Sequence, residues 1–109
     1  MDFGKIFFAA VAWLCALLLA IIGIVAIRRR EPMFFWAGSR VDSSEISDIA
    51  AYNRANGAMW LVFAVCFAVD GAVGLFSTTV GAIVMGVLCV PGIIVLVAVY
   101  NRIYRKYKA

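Results

Sequence analysis

The chain has 109 residues, 66% of them hydrophobic and 15% charged, with a mean hydropathy of +1.03 and a formal net charge of +4. A soluble domain averages roughly 45–50% apolar and 25% charged, so composition excludes a water-soluble globular domain and a disordered tail. The absence of His also excludes a His-ligated zinc site and a Ser-His-Asp triad.

A membrane-spanning helix takes about 20 apolar residues. The first such stretch runs from Ile6 to Ile27 without a charge, and Arg28, Arg29 and Arg30 follow it directly. It is longer than the h-region of a cleaved signal peptide, about 7–15 residues. The arginines form a stop-transfer pattern, so the segment reads as a retained helix. Ala9, Ala12, Ala16, Ala20 and Gly23 lie on nearly one stripe of it. Small residues of this kind let helices approach closely in lipid.

Residues 28–57 form a polar connector. Pro32 ends the first helix, and Phe34, Phe35 and Trp36 suit the headgroup layer as an aromatic anchor. Gly38-Ser39 marks a turn. Asp42-Ser43-Ser44-Glu45 is a helix-start pattern in which Asp42 caps and Glu45 returns the bond. This predicts a helix from about Ser43 into the second span. Trp36, Arg40, Tyr52, Asn53 and Arg54 form a polar-aromatic group of the kind that binding surfaces use.

The second span, Ala58 to Phe76, contains Asp70, the one charge inside any span. An intramembrane ionisable residue is a functional candidate. Ala64, Ala68, Gly71 and Ala72 supply its small residues. A turn at Ser77-Thr78-Thr79 leads to the third span, Val80 to Tyr100, with Gly81, Ala82, Gly86 and Cys89. Folding this hairpin about Thr78 places Asp70 opposite Gly86. Pro91 is predicted to kink the third span and to free the Val87 carbonyl. A protonated Asp70 would donate a hydrogen bond to that carbonyl, or would serve as a proton or cation site. Tyr-Asn-Arg occurs at 52–54 and again at 100–102, a shared interface chemistry with the ring at headgroup level and the guanidinium on phosphate.

The tail, 101–109, is basic. Arg28, Arg29, Arg30, Arg40, Arg54, Arg102, Arg105, Lys106 and Lys108 fall on one side of a three-span chain, and Lys5 alone on the other. The positive-inside rule then predicts an outside N-terminus, with the connector and C-terminus in the cytoplasm. Clustering at span ends accounts for the basic charge without nucleic acid. Cys15, Cys66 and Cys89 lie in apolar runs and read as free packing thiols. No phosphate-binding loop, cofactor motif or metal-ligand spacing is present.

The expected fold is thus an all-α integral membrane protein, one domain over 1–109, with spans at about 6–27, 58–76 and 80–100. The connector resembles the signature of a family of small bacterial three-span membrane proteins of unknown function. The likeness rests on Arg30-Glu31-Pro32-Met33, Phe35-Trp36, Gly38, Asp48, Tyr52-Asn53-Arg54, Gly57 and Met59-Trp60. It covers residues 28–60, and it implies the three-span architecture and a bacterial origin. More distantly, Gly38-Ser39-Arg40 and Asn53 to Gly57 are similar to the sporulation-delaying-protein immunity family, although Val41 stands where that family carries Thr. The functional expectation is a non-enzymatic protein of the bacterial cytoplasmic membrane that binds a membrane protein or peptide, of immunity or regulatory type. The alternative is a homo-oligomeric small transporter or holin-like pore with Asp70 as its ionisable site.

Overall fold

The computed structural model describes residues 3–30, 32, 44 and 46–108. Four helices follow in order: α1 (Phe3–Arg28), α2 (Ile49–Phe76), α3 (Thr78–Cys89) and α4 (Pro91–Tyr107). α1, α2 and the α3–α4 pair are each long and apolar enough to cross a membrane, giving three spans. The 26 residues of α1 rise about 39 Å, which exceeds the hydrocarbon thickness of about 30 Å. Phe7, Leu14, Leu17, Val62, Val65 and Ile94 are exposed around the bundle, as a lipid-facing surface requires. The protein is an all-α, three-span membrane protein.

α1 contains no Pro, and its first Gly is Gly4 at the start. Arg28 occupies its last turn, where a cation complements the helix dipole. α2 begins later than the sequence predicts. Its N-cap is Asp48, whose carboxylate accepts from the Ala51 N–H at 3.1 Å. Residues 46–48 are non-helical, so no continuous helix runs from Ser43 into the second span, and Asp42, Ser43 and Glu45 lie outside the described residues. The cause is tertiary. The Ser47 N–H and hydroxyl both donate to the Tyr107 carbonyl, at 2.7 and 2.9 Å, and Ile46 forms an antiparallel bridge with Lys108. These bonds hold 46–47 extended, and they bury Ile46 beside Tyr52 and Ala26.

The α2–α3 connection is also tighter than a three-residue turn. Ser77 alone makes it. Its N–H donates to the Val73 carbonyl and closes α2, while its hydroxyl accepts from Val80 N–H and caps α3. At the other end of α3, Val90 (φ −99°, ψ −75°) leads into Pro91 as the first residue of α4. The predicted kink is a break between two helices.

α1 and α2 pack antiparallel through glycines. A Cβ on Gly57 would lie 2.6 Å from the Gly23 carbonyl oxygen, and one on Gly23 would lie 2.9 Å from the Gly57 carbonyl oxygen. Further along, the Trp13 indole covers Gly71, and the Phe8 ring covers Gly74 and Gly81. The buried stripe of α1 is Ala9, Ala12, Ala16, Gly23 and Ala26, close to the predicted one, with Ala20 only half-buried. In α2 the buried seam is Ala64, Phe67, Asp70, Gly71 and Gly74. Ala68 and Ala72 fall off that period and are exposed. The third span departs most from expectation. Gly81 is buried, but Ala82, Gly86 and Cys89 face outward.

Gly57→Ala should therefore lower the thermal midpoint in detergent, at a cost of about 1–3 kcal/mol for overpacking against a backbone carbonyl. Gly86→Ala should not, because no heavy atom lies within 4 Å of the added Cβ.

Candidate functional site

Polar side chains in lipid need partners, because no water is there to replace them. The first two turns of α2 carry Tyr52, Asn53 and Asn56, all at most 1% exposed. The Tyr52 hydroxyl donates to the Tyr100 hydroxyl at 2.8 Å. The two rings meet edge-on, 6.4 Å apart at 66°. Asn56 Nδ2 donates to the Tyr52 carbonyl at 3.0 Å. Asn53 Nδ2 donates to the Arg29 carbonyl at 3.2 Å, satisfying one of the orphan acceptors that follow the end of α1. These bonds, with Ser47 on Tyr107, tie the ends of all three spans into one polar lock. Around it pack Ala26, Ile46, Ile103 and Tyr104.

The five residues proposed as a recognition surface are distributed differently. Tyr52 and Asn53 are interior, and Arg54 is exposed on the other side of α2. Trp36 and Arg40 lie outside the described residues. The two Tyr-Asn-Arg copies meet through their tyrosines, while Asn101 and Arg102 remain exposed. The repeat was the available signal for this contact: identical triplets at the ends of two spans on one side can reach each other. Reading each copy as a separate anchor missed the pairing.

Asp70 is also placed differently. It is fully buried, and neither carboxyl oxygen has a hydrogen-bond partner. The predicted bond to the Val87 carbonyl is absent. α3 meets α2 where Gly81 touches Gly74, and this turns Gly86 outward, away from Asp70. Asp70 lies on the face of α2 that also carries Tyr52 and Phe63, the residues that meet the third span. The Gly23–Gly57 and Phe8–Gly74 approaches set a register that brings it to the level of Ala12, which is itself fully buried. The nearby indole donor is already engaged, since Trp13 Nε1 donates to the Ala68 carbonyl at 3.0 Å. Pro91 is exposed, and Gly92 beside it packs on the Phe63 ring, which would lie 3.2 Å from an added Cβ.

Cys15 and Cys66 are partly buried and Cys89 is exposed, all as free thiols. Among the described residues no three Cys, Asp or Glu side chains converge as a metal site would need. The chain matches no protein-family model, no curated protein and no solved structure.

Two outcomes follow from this geometry. Tyr52→Phe and Tyr100→Phe should each destabilise the protein, with a double-mutant coupling of about 0.6 kcal/mol, the average for interhelical bonds in membranes. Asp70→Val should raise the thermal midpoint in detergent, because it removes an unsatisfied buried acid and breaks no hydrogen bond. A drop in that midpoint would reveal a partner on the carboxyl.

Proposed function

We propose that this is a non-enzymatic protein of the bacterial cytoplasmic membrane that binds a membrane protein or peptide through its connector, as immunity and regulatory proteins do. The N-terminus lies outside, and the connector and tail lie in the cytoplasm, as the asymmetry of Lys and Arg favours. The observation that supports this reading is the polar lock. Asn53 holds the chain at Arg29, where it leaves α1, and Tyr107 holds it at Ser47, where it returns to α2. Binding segments are commonly loops set on a rigid scaffold, and here both ends of the segment are tied to the bundle. Arg54 adds an exposed cation beside it. The connector's likeness to small bacterial three-span membrane proteins supports the bacterial membrane, and its more distant likeness to an immunity family is what suggests the immunity type.

The test is native mass spectrometry of the protein extracted from its own membrane in mild detergent. The expected result is a stoichiometric protein or peptide partner. That partner should be lost from a Trp36→Ala/Arg40→Ala variant and kept by Tyr52→Phe. A closed homo-oligomer with no second component would overturn the reading.

One observation favours a second reading, a small transporter or holin-like pore: the buried, unpartnered carboxyl of Asp70. Induced expression should then collapse the membrane potential, and Asp70→Asn should abolish the effect. An unchanged potential removes this reading.

A further inference from the structure

The outer faces of α2 and α4 enclose a groove of about 580 Å³. Ala55, Ala58 and Phe63 form one wall, and Pro91, Val95 and Val99 form the other. Its lining is apolar from end to end, and its volume is that of a small-molecule site. Along α2 it reaches from Ala55 to Cys66, a rise of about 16 Å. Along the third span it reaches from Val87 to Ile103, a rise of about 24 Å, so the groove covers about half to four fifths of the roughly 30 Å hydrocarbon core, room for one acyl chain. Its inner end lies at Val87, Leu88 and Pro91, where the third span breaks.

The two walls differ from the rest of the lipid-facing surface in how they end. Towards the connector, the α2 wall continues through Ala55 and Ala58 into a hollow that Arg54 lines. The α4 wall continues through Val99 and Ile103 into a hollow lined by Arg102, Arg105 and Lys106. All four cations are exposed. The acids among the described residues are Asp48, which caps α2, and Asp70, which is fully buried and does not line the groove. The groove thus has an apolar lining and, among the described residues, a cationic rim at its connector end.

We propose that this groove is a binding site for an anionic glycerophospholipid of the leaflet on the connector side. One acyl chain lies between α2 and α4, and the phosphate is held between Arg54 and Arg102. Guanidinium groups suit this role, since they give charge-assisted, forked hydrogen bonds to phosphate oxygens. Charge also selects the lipid over a second copy of the chain. A two-fold dimer about the membrane normal would bring the same cationic rims together, whereas an anionic headgroup neutralises them.

The test uses the full chain in mild detergent, titrated with phosphatidylglycerol or phosphatidylcholine and read by native mass spectrometry. One phosphatidylglycerol should be retained in preference to phosphatidylcholine. Arg54→Gln and Arg102→Gln should each weaken it by about five-fold, the usual effect of one basic residue at an anionic surface. Ala58→Trp and Val95→Trp fill the groove from opposite walls and should remove the adduct. Both positions are exposed, so the thermal midpoint should stay unchanged. Equal retention of the two lipids, insensitive to all four variants, overturns the proposal. So does a Cys66–Cys66 cross-link between copies in a Cys15→Ser/Cys89→Ser background, which would place protein in the groove.

Discussion

The close approach of Gly23 and Gly57 is the contact on which the rest of the molecule depends. Lipid tails are as apolar as leucine, so helices gain nothing by merely leaving lipid, and they associate where backbones can touch. Two facing glycines allow that, and they fix the register of α1 on α2. Toward one end the register places Ala9, Ala12 and Ala16 against the seam of α2. Toward the other it carries Asn53 to the Arg29 carbonyl. A shift of one helical turn, about 5.4 Å, would break that bond. Packing and polar satisfaction therefore select the same register.

The third span is held differently. It touches α2 closely at Gly74–Gly81 near the Ser77 turn, at Phe63–Gly92 midway, and through Tyr52–Tyr100 at the connector end. The apolar groove runs alongside these last two contacts, from Ile103 past Phe63 and Gly92 to Val87. The break at Pro91 belongs to this arrangement. It removes a backbone donor in mid-span, and Gly92 lets the first turn of α4 sit against Phe63. The two ends of the span are tied, so the groove between them is a fixed feature of the bundle.

Much of this was legible in the sequence, and the boundary of legibility has a physical cause. Hydropathy and length specify three spans because the bilayer imposes both. The α1 stripe was legible because five small residues recur at helical spacing, and one face of α1 must meet a neighbour. The start of α2 was not. Asp42-Ser43-Ser44-Glu45 is a sound local capping pattern, but Ser47 finds a better acceptor in Tyr107, 60 residues away. The third span misled for a related reason. Gly86 and Cys89 have the spacing of a packing face, yet spacing does not say which face a neighbour occupies. Likewise, the repeated Tyr-Asn-Arg marked where two span ends lie, without showing that the tyrosines meet.

The contrast between the two polar groups of α2 separates architecture from function. Tyr52 and Asn53 donate hydrogen bonds to the other two spans, while Asn56 donates back to the Tyr52 carbonyl of its own helix and keeps its Oδ1 buried without a partner among the described residues. The presence of Tyr52 and Asn53 is explained by the fold they hold together. Asp70 has no such explanation. An Asp near the centre of a span costs about 2.5–3.5 kcal/mol on insertion scales, and interhelical bonds return little even where they form. Here none forms. Burial inside the bundle shields the carboxyl from lipid but supplies nothing in exchange, so stability does not account for this residue.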